Sequence, residues 1–202
     1  MATATPRTRL PALDVAAVRD RATARTNEAL TSALNARDAT DRSVAQFAAT
    51  LVLEAEAALK DASAYRDKLM LSLVAHEGYP AAQVASAAGT SRAWMLKMLD
   101  RKLGTGDGTW TMKSIPKVPE ARAEVARKAG VLRYSNAPAE LPEVAAQIVK
   151  HKAVIDAAMP VRDEKVRALE HAGVSRGEIA KMIGRNPSRV SHLTAGKAPV
   201  AP

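Results

Sequence analysis

The sequence predicts an all-α fold, and two observations support this prediction. Hydrophobic residues make up 47% of the 202 residues, but aromatic residues only 3%. The core therefore has to be built from Ala, Leu, Val and Met, whereas sheets favour β-branched and aromatic side chains. The chain also has no Gly and no Pro between Leu13 and His76, and their absence over such a length favours helix.

The positions of Gly and Pro, together with the start of a first motif at 68, divide the chain into six regions. The regions are a disordered tail at 1–12, a helical region at 13–67, a first motif at 68–103, a linker with a short helix at 104–141, a C-terminal helical domain with a second motif at 142–197, and a tail at 198–202. A small β-hairpin near 105–115 is an alternative to irregular chain in the linker. In the last domain we predict separate helices at 142–159 and 161–172, on either side of Pro160.

The helical region at 13–67 has one face on which apolar residues recur every three or four positions. Val44, Phe47, Leu51 and Ala55 begin this face, and such spacing predicts a buried side of a helix. The region forms either a helical hairpin within one chain or the coiled-coil seam of a dimer. The few large apolar residues favour a homodimer through the N-terminal helices, because an independent core built from them would be small.

The composition also bears on partners and location. The formal net charge is +9, and a strong positive excess indicates nucleic acid or an anionic membrane as a partner. Residues 1–100 hold 12 Lys and Arg against 11 Asp and Glu, a net of +1, while residues 101–202 hold 18 against 10, a net of +8. The lack of cysteine excludes disulfides. No apolar run is long enough for a membrane span, so we expect a cytoplasmic, nucleoid-associated protein with no membrane partner.

Two stretches of the chain share one pattern at a constant offset of 95 residues. They are "GYPAAQVASAAGTSRAWMLKML" from Gly78 and "GVSRGEIAKMIGRNPSRVSHLTAGK" from Gly173. The matching pairs are His76 and His171, Gly78 and Gly173, Val84 and Ile179, Ala85 and Ala180, Gly89 and Gly184, and Met95 and Val190. Both stretches predict a helix that ends at a glycine, a short second helix, a glycine turn and a third helix.

The residue types at these positions have physical reasons. Alanine allows two helices to cross closely, and a glycine such as Gly184 fits the left-handed backbone of a tight turn between helices. Ser91 and Asn186 are good N-caps for the third helix of each stretch, and Pro187 suits its first position.

These residues resemble the helix-turn-helix family of DNA-binding proteins. The second stretch is similar to the Cro and phage-repressor type, and the first to the shorter motifs of bacterial regulators. The resemblance covers only the two motifs. It implies that the third helix of each lies in the major groove of double-stranded DNA. The resemblance also implies that bases are read by the side chains of Arg92, Ala93, Lys97, Ser188, Arg189, Ser191 and His192. Those expected to contact phosphates are Arg101, Lys102, Arg176, Lys181, Arg185 and Lys197. Trp94 either packs under the first motif or lies against the DNA backbone.

No pattern in the sequence favours catalysis or a bound cofactor. The four histidines are too scattered for a zinc site, and "GTGDG" lacks the lysine of a phosphate-binding loop. We therefore expect no enzyme, metal or cofactor. The favoured function is a sequence-specific transcriptional repressor or regulator of phage, plasmid or bacterial origin. A partition protein that binds a centromere-like DNA repeat is one alternative. The other is a structural or adaptor protein that binds nucleic acid without sequence preference.

Overall fold

The computed structural model describes residues 9–103, 116 and 118–194. Within these residues the chain forms helices and no strands, which confirms the all-α fold. The helices are α1 (Val15–Leu34), α2 (Asp41–Ala75), α3 (Ala81–Ala87), α4 (Arg92–Leu103), α5 (Pro119–Lys128), α6 (Ala137–His171), α7 (Arg176–Met182) and α8 (Pro187–Thr194). The hairpin considered near 105–115 lies outside the described residues, as does most of the tail predicted at 1–12.

The helices repeat in two sets of four. Each set has a first helix, a helix of 35 residues, a helix of 7 residues and a last helix, as α1–α4 and again as α5–α8. The starts of α3 and α7, and of α4 and α8, differ by 95 residues, as the sequence pattern predicted. The shared pattern therefore extends beyond the two motifs to the long helix that precedes each of them.

The chain divides into two compact units that are discontinuous in sequence. Unit 1 contains residues 1–15 and 60–148, and unit 2 contains residues 16–59 and 149–202. Unit 1 holds the first motif, the C-terminal part of α2 and the N-terminal part of α6. Unit 2 holds the second motif, the C-terminal part of α6 and the N-terminal part of α2. The domains expected from the sequence were continuous segments of the chain. Periodicity along the chain does not reveal that α2 and α6 each contribute to both units.

The core of unit 2 joins its motif to the N-terminal part of α2. Ala45 and Ala49 of α2 share a buried cluster with Ile179 of α7 and Val190 of α8. A second cluster joins Leu30 of α1 to further residues of α2 and α6, with Ala48, Val52 and Ala158 at its centre. The N-terminal helices thus form a hairpin within the chain, which is one of the two arrangements that the sequence left open.

The buried face of α2 agrees with the predicted one in part. Val44 and Ala55 are buried as expected, but Phe47 is 37% exposed. The buried residues around Phe47 are Ala45, Ala48 and Val52. These small side chains face the core because α1 and α6 both pack closely against this part of α2.

The prediction of two helices separated at Pro160 was wrong, because α6 continues from Ala137 to His171. A proline inside a helix removes one backbone hydrogen bond and costs about 3 kcal/mol. Burial on both sides of it offsets this cost: Ala158 is fully buried, and Met159 and Val161 pack against Val52 and its neighbours. Tertiary packing here overrides the local preference.

In unit 1, the segment before α1 packs against the first motif. Leu10 is buried, and the backbone N–H of Leu13 donates to the carbonyl oxygen of Ser86 at 3.2 Å. Leu10, which belongs to the predicted tail, is therefore packed into the unit, and the chain contacts α3 at Leu13, just after the tail. Elsewhere in the unit, the hydroxyl of Tyr65 donates to Glu140, and this hydrogen bond raises the pKa of the tyrosine.

Candidate nucleic-acid interface

The turns of the two motifs have the same backbone geometry. Gly89 and Gly184 have φ angles of +60° and +63°. The N–H of Thr90 donates to the carbonyl of Ala85, and that of Arg185 donates to the carbonyl of Ala180, at 2.9 Å in both cases. The left-handed conformation favours glycine at these positions, so the prediction of a glycine turn is confirmed for both copies.

The third helix of each motif begins with the cap that the sequence indicates. The Oγ of Ser91 accepts a hydrogen bond from the N–H of Trp94 at 3.1 Å. The Oδ1 of Asn186 accepts from the N–H of Ser188 at 3.0 Å, and α8 starts at Pro187. Each cap satisfies one of the backbone donors that a helix leaves without a partner at its first turn.

The second motif has a further cap, on α7, that the sequence analysis missed. Ser175 and Glu178 form a capping box in which each side chain accepts a hydrogen bond from the backbone N–H of the other, at 3.3 Å. The hydrogen bond from the Ser175 hydroxyl lowers the pKa of the Glu178 carboxyl. The signal was present in the sequence, since a serine followed three positions later by a glutamate is typical of a helix start.

On α8, three of the four expected base-reading side chains are exposed. Ser188, Arg189 and His192 are accessible, while Val190 between them is fully buried. Ser191 is half-buried, and its hydroxyl donates to the backbone carbonyl of Pro187 at 3.3 Å. Ser188 also donates its hydroxyl to Asn186. Arg189 and His192 are therefore better placed than the two serines to reach a base edge.

Two of the expected phosphate-contacting side chains in the second motif take part in ion pairs. The Nε of Arg176 donates to Glu170 at 2.5 Å, and this hydrogen bond lowers the pKa of the Glu170 carboxyl. Arg185 pairs with Glu56 of α2. Lys181 is exposed, and Lys197 lies outside the described residues. Lys181 thus combines the expected position with an exposed side chain.

On α4, the base-reading candidates share one exposed face. Arg92, Ala93 and Lys97 are accessible, whereas Met95 and Met98 face the core. Arg101 continues the exposed face, and the side chain of Lys102 lies outside the described residues. Asp100 is exposed on the same helix, and its charge opposes close approach of DNA phosphates.

One of the differences between the two motifs concerns a base-reading position of the third helix. At the offset of 95, Trp94 corresponds to Arg189. Trp94 is half-buried, and the guanidinium carbon of Arg66 in α2 lies 4.6 Å from the centre of its ring. Trp94 therefore contacts α2, and its contact with the DNA backbone stays a prediction. The residue that is an exposed arginine in the second motif is replaced in the first by an aromatic ring stacked on an arginine.

The net positive charge is shared by the two units. Unit 1 contains 15 Lys and Arg against 10 Asp and Glu, a net of +5, and unit 2 contains 15 against 11, a net of +4. The strong asymmetry between the two halves of the sequence thus disappears, because each unit draws on both halves. Both motifs belong to positively charged units.

The partners of these arginines could not be found from the sequence. Glu56 lies 129 positions before Arg185, and Glu56 is one of many acidic residues on a long helix. Glu170 precedes Arg176 by six positions but belongs to a different helix. No local spacing rule connects such pairs, since the chain between them turns.

Comparison with known proteins gives no family for this chain. No protein-family model, no curated protein and no solved structure matches it. Among the described residues there is no group of three or more His, Cys, Asp or Glu side chains that could hold a metal ion. In the same part of the chain, no helix combines the length and apolar character that crossing a membrane requires.

Proposed function

We propose that the chain is a sequence-specific double-stranded DNA-binding protein, a transcriptional repressor or regulator of phage, plasmid or bacterial origin that acts at the nucleoid. The observation that supports this proposal is the pair of helix–turn–helix arrangements at an offset of 95 residues. They share the lengths of their first and second helices, closely similar glycine φ angles and a 2.9 Å hydrogen bond across the turn. A third helix in this arrangement presents its first turns to the major groove.

The second motif is the stronger reader in this proposal. Arg189 is exposed near the start of α8, where a guanidinium can donate two hydrogen bonds to O6 and N7 of guanine. His192, one turn further on, is exposed on the same helix. In the first motif Arg92 and Lys97 are the proposed base readers. Arg66 is stacked on the ring of Trp94. Lys181 and Arg101 add affinity through phosphates without adding sequence preference.

The test is selection of duplexes from a random pool, followed by a footprint on the selected site. Arg189→Ala should weaken binding to that site by about 1–3 kcal/mol and binding to random DNA much less. The matched control is Lys181→Ala, which should weaken both to the same extent and reduce the salt dependence of binding. Selection that yields no preferred sequence would contradict the proposal and favour the adaptor alternative. Several clustered repeats of the selected site would favour the partition alternative.

The proposal includes a homodimer through the N-terminal helices. Leu34 at the end of α1 and Phe47 on α2 are 41% and 37% exposed, and a second copy of the chain could cover them. Deletion of residues 1–67 would not test this dimer, because it would also remove Ala45 and Ala49 from the core of unit 2. Sedimentation of the full chain should instead give twice the 21.4 kDa of one chain. Leu34→Glu together with Phe47→Glu should return the mass to that of a monomer, and an unchanged mass would exclude this interface.

A further inference from the structure

Unit 2 contains a cavity beside the turn of the second motif. Its volume is about 390 Å³, and its lining includes Glu56 of α2, Arg162 of α6, and Arg185, Asn186 and Arg189 of the turn and α8. Small-molecule sites typically have volumes of roughly 300–1,000 Å³. The cavity is therefore large enough for more than one isolated ion.

The most buried charge at this cavity is Arg162. Its side chain is only 4% exposed, and its Nη2 lies 2.6 Å from the Oδ1 of Asp163. Burial of a charged group is costly unless the group is paired and hydrogen-bonded. Asp163 compensates the charge of Arg162, and Arg162 is one of the residues that line the cavity. A buried guanidinium beside a cavity binds anions more strongly than an exposed one, because water screens it less.

The remaining lining groups favour an anion with several acceptor oxygens. Arg185 and Arg189 add two further guanidinium groups, each with a planar arrangement of donors that matches the oxygens of a phosphate. The Oδ1 of Asn186 accepts from Ser188, so what Asn186 can offer to a ligand is its NH₂ group. Glu56 is the single acid among the described lining residues, and it pairs with Arg185. Three arginines and one glutamate give these residues a formal charge of +2, which Asp163 beside Arg162 reduces to +1.

We propose that this cavity is a binding site for a phosphate group, carried either by a small phosphorylated molecule or by the DNA backbone. The phosphate accepts hydrogen bonds from Arg162, Arg185 and Arg189, and it competes with Glu56 for Arg185. Because Arg189 is also the proposed base reader, occupancy of the cavity by a small molecule changes the DNA affinity of the second motif. The site itself does not depend on DNA binding.

The first experiment uses the full chain without DNA. Titration calorimetry with inorganic pyrophosphate, against sodium chloride of equal ionic strength, should show saturable binding of one ligand per chain. Arg162→Gln and Arg189→Gln should each weaken it roughly tenfold, because each removes hydrogen bonds to a charged group. Glu56→Gln should tighten it several-fold by releasing Arg185. The matched control, Arg25→Gln, changes an exposed arginine of α1 in the same unit and should have no effect.

The outcomes are separable from those of the DNA experiment. Heat that does not saturate, or equal affinity in all the variants, would overturn the proposal whether or not the chain binds DNA. If Arg162→Gln loses its helical circular dichroism, the affinities of Arg189→Gln and Glu56→Gln for pyrophosphate still test the proposal.

A second titration, with random duplex DNA, identifies the source of the phosphate. Pyrophosphate that competes with the duplex, together with a tightening of duplex binding by Glu56→Gln, indicates the DNA backbone. Binding of both at once indicates a small phosphorylated molecule.

Discussion

Gly78 and Gly173 allow the effect of a steric contact with Arg122 on the free energy of unfolding to be measured within a single chain. They occupy the same place in the two motifs and have φ angles of +66° and +85°. A Cβ built on Gly173 meets nothing within 4 Å. A Cβ built on Gly78 would lie 2.7 Å from Nη2 of Arg122 and closer still to two other atoms of that guanidinium. Arg122 is only 6% exposed, so its side chain has little room to move aside.

We expect Gly173→Ala to destabilise the protein by about 1 kcal/mol. An L-residue in the left-handed region costs about 1–2 kcal/mol, and the lower entropy of the unfolded chain offsets about 0.4–1 kcal/mol. Gly78→Ala has the same two contributions and in addition displaces the guanidinium of Arg122. Overpacking of this kind costs about 1–3 kcal/mol. The difference between the two variants should therefore be about 1–3 kcal/mol, since the shared contributions cancel.

The assay is urea unfolding followed by circular dichroism, with the slope of the transition checked for each variant. A double-mutant cycle with Arg122→Ala isolates the contact. In that background, Gly78→Ala should cost no more than Gly173→Ala. Equal costs for the two glycine variants in the wild-type background would refute the reasoning, because the position of Arg122 would then have no energetic consequence.

Three further predictions concern single contacts. Arg176→Gln should destabilise the protein at pH 7 and progressively less as the pH falls below 4.5, the ordinary pKa of a glutamate, because the stability that the lowered pKa of Glu170 provides is lost as the pH falls through that lowered pKa. Urea midpoints that differ equally at pH 7 and at a pH below the lowered pKa would contradict this. Ser175→Ala should cost about 1 kcal/mol through loss of the α7 cap and Ser175→Asn much less, again by urea unfolding, whereas equal losses would argue against the capping box. Arg66 pairs with Asp67 as well as contacting the Trp94 ring, so Arg66→Gln should cost about 0.5–1 kcal/mol more when the ring is present than when Trp94 is replaced by leucine. An equal cost with and without the ring would exclude the ring contact as a contribution.

The sequence predicts best those features that depend on a few neighbouring residues. The turns at Gly89 and Gly184, the caps at Ser91 and Asn186 and the start of α8 at Pro187 all agree with the structure. Each follows from the conformational preference or hydrogen-bonding capacity of one residue type. Such preferences are local, so they can be read without knowledge of the rest of the fold.

Features that depend on packing between distant segments were missed or predicted wrongly. Phe47 was expected on the buried face of α2, but close packing of three helices selects alanines there. Pro160 was expected to end a helix, but buried neighbours on both sides keep α6 continuous. Arg162 was not among the predicted site residues, because only the folded unit brings it to the cavity beside Arg185 and Arg189.

The discontinuous units have a consequence for how the chain folds during synthesis. Unit 2 needs residues 16–59 and residues after 149, and unit 1 needs the segment up to 148. Neither unit can close its core until at least part of α6 has been translated, so α1 to α4 leave apolar surface uncovered while the segment from 104 to 148 is being made. Contacts between such distant segments slow folding, and exposed apolar surface promotes aggregation. The order of the helices thus delays burial of the core until late in translation.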